Sequence, residues 1–467
     1  MEAIGFRRIW MISNNPISAK EIADINQYLQ KFNKHMKKIF LSTFLLAATL
    51  TAFAQDVNKL INQDDVTRII STLAADDMQG RATFTPGIEK AAQFIESEYK
   101  KIGLKPLAGD DGFRQNFTMA RVTPVKTAVA INGKAIGADS VFASTSAAVL
   151  NWSSSPDVEI VKLTADKNFR TEYRGYLSSG KKLLVLVDPK FAAIFNSLRD
   201  RLQKGSINNK PNDNQALVFV LGNHDDIKTF EVNYTGKSEQ LPLFNIAGII
   251  PGKTKPNEYV IFSGHYDHLG ILKPVQGDSI ANGADDDASG TTAVIELARY
   301  FKKLDNNART LVFVAFTAEE IGEFGSQHFA TTVEPDKVMA MFNIEMIGKA
   351  SKFGENSAFI TGFERSDFGP ILQKNLEGTA FKFYPDPYPE QDLFYRSDNA
   401  SLARVGVPAH TISTDQIDID KLYHTVKDEI STLDMSNITS TIRAIALSSR
   451  TIVSGEDTPK RVAKLER

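Results

Sequence analysis

The chain contains no cysteine. Disulfides, thiolate metal sites and cysteine nucleophiles are therefore excluded. Any metal must be held by histidine, aspartate and glutamate, and histidine is itself scarce, with seven in 467 residues. An excess of one charge is missing too. The 54 basic side chains against 56 acidic ones leave a net charge of -2, so no global field gathers nucleic acid or an anionic membrane. No G-x-S-x-G occurs, which disfavours a serine hydrolase. Long apolar runs are lacking as well. The stretch from Ile39 to about Thr51 falls short of the ~20 residues that span a bilayer.

That stretch lies in "MKKIFLSTFLLAATLTAFAQD", which starts at Met36. Lys37 and Lys38 form a basic start, an apolar stretch follows, and Ala52-Phe53-Ala54 closes it. This is the pattern of a signal peptide over 36–54, cut after Ala54. No lipid-bearing cysteine follows the cut. The mature chain is expected to begin near Gln55 and to be exported, periplasmic or extracellular, without a membrane anchor. Residues 1–35 stand upstream of the signal and read as an artefactual or disordered extension.

The length suits two to three domains, or one large α/β domain with an insertion. Val66, Ile69, Ile70 and Leu73 recur at helical spacing behind a candidate Asp cap. Ile88, Ala91, Ala92, Ile95, Tyr99 and Ile102 do the same, and Gly103 stops that helix. Residues 118–241 are rich in Ser, Thr, Asn, Val and Lys, and "KKLLVLVD" and "ALVFVLG" read as strands. This is an expected insertion, mostly β. "GYLSSGK" nearly matches a phosphate loop, but no Ser/Thr follows its lysine and a strand follows instead of a helix.

From 245 the pattern becomes regular. "EYVIFSG", "TLVFVAF", "VMAMFNIEM" and "VPAHTIS" are apolar strands, and "ASGTTAVIELARYFKKL" is a helix. The expected fold is α/β, a mostly parallel mixed sheet with helices on both faces. In such sheets ligands lie outside the carboxyl ends of the strands. Those ends carry His265 and Asp267, then Glu319 and Glu320, then Glu345. The loop "NGADDDASG" brings Asp285, Asp286 and Asp287 to a helix start, and "LYHTVKDE" offers Tyr423 and His424. Singly, each is an ordinary cap or a solvated charge. Jointly, the carboxylates would repel at one sheet edge, and divalent cations remove that cost. Oxygen and imidazole donors without thiolate suit zinc, and also manganese or cobalt.

"GHYDHLG", "NGADDDASG", "TAEEIGEFGS", "NIEMIG" and "YHT", in this order, resemble the bacterial secreted zinc aminopeptidases. Glutamate carboxypeptidases, glutaminyl cyclases and transferrin receptors are relatives of that family. The resemblance spans roughly 65–110 and 243–450, and 118–241 loosely resembles a protease-associated domain. It implies a catalytic domain from 55–117 and 242–455, with 456–467 a polar tail. It also implies two zinc ions and a peptide substrate. His265, Asp286, Glu320, Glu345 and His424 would be the ligands, with Asp286 bridging and followed by a cis peptide. Asp267 would orient the His265 imidazole, Glu319 would be the general base, Tyr423 would steady the oxyanion and Arg396 would contact substrate. Two positions depart from the family pattern. Glu345 stands where Asp is common, and Asn399 where His is common, which is expected to reshape the substrate pocket. His268 reads as a neighbour of the site and not a ligand. An aminopeptidase is the first expectation. A glutamate-type carboxypeptidase, a glutaminyl cyclase or a non-catalytic binding relative are the alternatives.

Overall fold

The computed structural model describes residues 57–107, 112–208 and 215–465. The expected signal peptide and the extension before it lie outside these residues. Among the described residues, no helix is long and apolar enough to cross a membrane.

Helix α1 (Gln63–Leu73) buries Val66, Ile69, Ile70 and Leu73 along one stripe. Helix α2 (Pro86–Ile102) buries Ile88, Ala91, Ala92, Ile95 and Tyr99, and Gly103 ends it in the left-handed conformation. Between them lies a tight turn, Asp76–Arg81, with left-handed backbone at Gln79 and Gly80.

The large sheet has twelve strands among the described residues, and its eight main ones are β1 (Arg114–Ile131), β2 (Phe230–Ile250), β3 (Lys255–His265), β4 (Arg309–Phe316), β5 (Val338–Ile344), β6 (Ser357–Ile360), β7 (Lys382–Pro385) and β8 (Ala409–Ser413). Their order is β7-β6-β8-β5-β3-β4-β2-β1. The centre is parallel: β3 pairs with β4 and β5, and β5 with β8. The flanks are antiparallel where β2 meets β4 and where β6 meets β8. Every residue of β4 is buried, as expected of a strand covered on both faces. Successive residues of β3 serve opposite sides. Phe262 stacks with Phe313 and Phe342 and meets Phe301 of helix α3 (Gly290–Leu304). Ile261 packs with Phe329 and Leu402 on the other face.

Strands β1 and β2 form one long antiparallel ribbon, with a register slip at Thr235/Gly236. The expected limits of the insertion, 118 and 241, fall inside these two strands and not in linkers. The segment between them is rich in strands, and it also holds two helices, Phe169–Ser178 and Ala192–Leu202. Strands Val158–Leu163, Lys182–Val187 and Ala216–Leu221 run parallel, and Val141–Thr145 is antiparallel at the edge. Parallel neighbours need crossover connections, which is the place of the two helices. Within "GYLSSGK" a helix ends and a strand follows at Lys182.

Candidate metal centre

Strand β3 delivers His265 to its carboxyl end, where the residue is wholly buried. Its Nδ1–H donates to the Asp267 backbone carbonyl at 3.0 Å. That bond leaves the Nε2 lone pair free to face outward. Nε2 lies 3.1 Å from Asp286 Oδ1 and 3.3 Å from Glu345 Oε1. The Asp267 carboxylate, expected to be the imidazole's partner, is 3.8 Å away. It accepts instead from the backbone N–H of Glu319 at 3.1 Å and of Glu320 at 3.4 Å. Asp267 therefore orients the ring through its main chain and holds the two glutamates through its side chain.

The turn Ala284–Ser289 explains the glycines of "NGADDDASG". Gly283 has φ 58°, and a Cβ there would meet Asp286 O at 2.3 Å and the His268 ring at 2.5 Å. At Gly290 a Cβ would lie 2.1 Å from Ile344 O. The three aspartates point to three tasks. Asp285 Oδ1 accepts from Gly348 N–H at 2.7 Å. Asp287 accepts from the N–H groups of His265, Gly290 and Met346, stitching β3, α3 and the end of β5 together. Only Asp286, whose peptide to Asp287 is cis, turns its carboxylate to the imidazoles.

A second group gathers on Asp286 Oδ2. His424 Nε2 lies 3.2 Å from it and 3.1 Å from Glu320 Oε2. His268 Nδ1 lies 2.7 Å from Glu320 Oε1 and 3.7 Å from Asp286 Oδ2. Thus His265, Asp286 and Glu345 form one potential metal-holding set, and His268, Asp286 and Glu320 another. His268, read as a neighbour of the site and not a ligand, is in direct contact with Glu320. Its backbone-free Nε2 is buried without a hydrogen-bond partner, as is Asp286 Oδ2. The donor set, oxygens and imidazole nitrogens around one shared carboxylate, fits zinc.

Burial opposes a charge on Asp286, but His268, His265 and His424 hold it well below the usual carboxylate range. Burial and Asp286 oppose Glu320 likewise, and the two histidines prevail. Glu319 is pushed well above the ordinary range by burial. Glu345, Asp398 and Glu320 add to this and His265 opposes it. Burial also raises the Tyr423 phenol, and Asp286 and Glu345 reinforce it. Tyr423 stacks on His424, ring centres 3.8 Å apart. It lines a pocket with Glu345, Met346, Phe359, Leu393 and Arg396. Arg396 is exposed, and its guanidinium donates to Gln391 Oε1 at 3.2 Å. Asn399 is buried outside that lining. It donates to the carbonyls of Phe394 and Ala409 and accepts from Thr411, so its departure from the pattern is absorbed by the interior.

Three further residues support the site, and no local sequence signal marks them. Arg81 is fully buried and donates to the carbonyls of Leu73, Tyr266, Asn282 and Gly283 at 2.6–2.9 Å. The Asp428 carboxylate accepts from the N–H groups of Asp285 and Asp286, each at 3.0 Å. Ser397 donates a short hydrogen bond to Glu345 Oε2 and accepts from Asn343 at 2.7 Å.

The sequence model of Peptidase family M28 matches residues 245–448. Over these residues, somewhat less than half of the chain, the sequence is similar to that family. All five expected ligands and Glu319 lie inside the matched residues. Leucine aminopeptidase 1 of Ajellomyces capsulatus strain H88 is 30% identical over 209 residues, 42% of this chain and 52% of the relative. A probable zinc metalloprotease of Pyrenophora teres f. teres is 34% identical over 125 residues, 26% of each chain. The chain thus spans about half the length of the first and about a quarter of the second. Among solved structures, an aminopeptidase from Aneurinibacillus sp. strain AM-1 aligns with a TM-score of 0.51 and 17% identity, covering 88% of this chain and 97% of the other. A zinc aminopeptidase from Bacillus subtilis aligns with a TM-score of 0.51 and 16% identity, covering 84% and 95%. At such identities these two likenesses concern the fold alone.

Proposed function

We propose that the protein is a two-zinc exopeptidase, an aminopeptidase that hydrolyses the amino-terminal peptide bond of peptides. The observation that carries this reading is the Asp286 carboxylate, whose Oδ1 faces His265 at 3.1 Å and whose Oδ2 faces His424 at 3.2 Å. One group shared between two ligand sets is what a pair of neighbouring cations requires. His265, Asp286 and Glu345 would hold one ion, and Asp286, Glu320 and His424 the other; manganese or cobalt fits the same donors. Bound zinc supplies an acidified water and a polarised carbonyl.

The chain's own groups do the rest. Glu319, as the carboxylate, takes a proton from the attacking water and passes it to the leaving amine; burial makes that carboxylate more basic, which suits it to take the proton. The Tyr423 phenol stays protonated and donates to the charge developing on the carbonyl oxygen. Asp267 fixes Glu319 through its backbone N–H and fixes the His265 tautomer through its own carbonyl. Arg396 contacts substrate at the rim of the pocket, and the apolar wall beside Glu345 receives the terminal side chain. The similarity to a leucine aminopeptidase and a zinc aminopeptidase favours an aminopeptidase. Export through the 36–54 signal belongs to the same proposal and rests on that sequence pattern alone.

Metal analysis of the protein with a panel of aminoacyl, dipeptide and blocked peptide substrates tests the reading. Two zinc ions per chain and hydrolysis confined to free amino termini are expected. Hydrolysis of blocked peptides with none of free ones overturns the aminopeptidase assignment. One zinc with cyclisation of amino-terminal glutamine moves it to the cyclase alternative.

A further inference from the structure

Lys349 stands four residues beyond Glu345, among three carboxylates. Its ammonium lies 2.7 Å from Asp420 Oδ2 and 3.1 Å from Asp285 Oδ2. Asp415 completes the group, with oxygens of Asp285, Asp415 and Asp420 all within 4.8 Å of one another. Asp285 is fully buried, and Asp415 is 4% exposed with neither carboxylate oxygen hydrogen-bonded. The lysine is the cation that faces these carboxyl groups. Burial opposes its charge, while Asp285 and Asp420 hold it above the usual lysine range.

The two partners of Lys349 belong to different parts of the site. Asp285 immediately precedes the shared Asp286. Asp420 lies in the segment 415–428 that carries Tyr423 and His424. Asp420 Oδ1 accepts from Leu422 N–H at 2.8 Å, one residue before Tyr423. At the far end of the same segment, Asp428 takes the N–H groups of Asp285 and Asp286. The segment is therefore pinned to the aspartate turn at both ends, once through Lys349 and once through Asp428. Between the pins His424 has φ 58° and reaches Asp286 and Glu320 from an exposed position.

We propose that Lys349 is a positioning residue whose ammonium clasps the segment 415–428 onto the Asp285–Asp286 turn, and so sets where His424 and Tyr423 meet the second ligand group. Remove the ammonium and Asp285 and Asp420 repel across a buried gap, which drives the segment outward. His424 then loses register with Asp286 and Glu320, whereas His265 and Glu345, mounted on strand ends, stay in place. The proposal rests on the two-zinc reading for its catalytic meaning, but the clasp itself can be read without zinc.

Three full-length variants test it: Lys349→Met, Lys349→Arg and Asp420→Asn. Zinc titration of the metal-free protein against a chromophoric chelator should show one ion bound as in the unmodified protein. The other should bind about tenfold or more weakly in Lys349→Met. Lys349→Arg keeps the charge and should recover most of that loss, and kcat should follow the weaker ion while KM changes little. Hydrogen exchange of the metal-free protein should quicken over 415–428 in Lys349→Met. If Lys349→Met does not fold, Asp420→Asn tests the clasp instead: it breaks the ion pair without leaving two carboxylates to repel, so the same zinc site and the same segment should change in the same direction and by less. Unchanged exchange over 415–428, equal weakening of both ions, or an arginine variant no better than the methionine one overturns the clasp. If the unmodified protein binds no zinc and cleaves no peptide, the two-zinc reading fails separately, and the exchange measurement still decides the clasp.

Discussion

At the carboxyl ends of β3, β4 and β5 the charged groups have been taken out of water. His265 and Asp267 are 0% exposed and Asp286 is 2%. The inserted segment has parallel strands of its own, and their carboxyl ends also open on a crevice, lined by Lys162, Thr164, Asp188 and His224. There the charges stay wet. Lys162 pairs with Asp225 at 2.9 Å with side chains 53% and 84% exposed. The two edges share a topology and differ in burial and in convergence. A strand-end position alone offers a place for a site. Several carboxylates and imidazoles aimed at one another, in a setting where each would otherwise be costly, turn the place into chemistry.

The largest effect should come from exchanging one acid at each edge. Asp286→Asn should empty the site of zinc and lower kcat/KM by about a thousandfold or more, roughly 4 kcal/mol of lost transition-state stabilisation. Asp188→Asn, at the other edge, should leave zinc content and kinetics unchanged. Zinc per chain and steady-state rates on a free-amino dipeptide measure both. Equal losses in the two variants would erase the distinction between the edges.

Much of the active edge can be read along the chain. Strands β3, β4, β5 and β8 are buried on both faces and announce themselves as short unbroken apolar runs. Helices α1 and α2 show one apolar stripe each. His265, Asp286, Glu320, Glu345 and His424 stand in five separate motifs, and the structure gathers them around Asp286: His265 and His424 meet its carboxylate, Glu345 meets His265 and Glu320 meets His424. What stays hidden is whatever depends on distant backbone. Arg81 binds carbonyls up to 202 residues away, and nothing around it in sequence marks a buried cation. Asp267 looks like a carboxylate partner for His265, and the distance between main-chain and side-chain contact is a matter of rotamer. The β1–β2 ribbon and the helices of the insertion escape notice because their faces are half solvated, so their periodicity is diluted by Thr, Lys and Ser.

The next effect concerns stability. Arg81 and Lys162 are both cations near strand ends, one fully buried and one in water. Arg81→Met strands four buried carbonyl acceptors, and each lost partner carries a desolvation cost. A loss of at least about 3 kcal/mol in urea unfolding is expected. A loss below ~1 kcal/mol would mean that the carbonyls find other donors.

A smaller effect should appear with pH, at a buried polar residue of the same sheet away from the acidic edge. His410 in β8 donates from Nδ1 to the Thr361 carbonyl at 2.8 Å and accepts at Nε2 from the Ser366 hydroxyl at 2.8 Å. Burial lowers its pKa from 6.5 to about 4. The unfolded chain therefore binds the extra proton first, so this contribution is full above pH 6.5 and is lost as pH falls toward 4. Between pH 7 and 4.5 the unmodified protein should lose about 2 kcal/mol more than His410→Asn. Parallel pH profiles of the two proteins would show that the ring is charged in the fold or reached by water.

The smallest effect tests the wet edge directly. Lys162→Met removes the cation from the insertion's crevice and leaves Asp225 in open water, where an unpaired carboxylate costs little. Lys162 now holds Asp225 below the usual carboxylate range, so the pairing is real, yet solvent stands ready to replace it. The melting temperature should stay within about one degree of the unmodified protein, and zinc content and peptide turnover should not move. A large drop in turnover would join this crevice to the metal centre as a working part, and the contrast between the two edges would then be one of reach and not of kind.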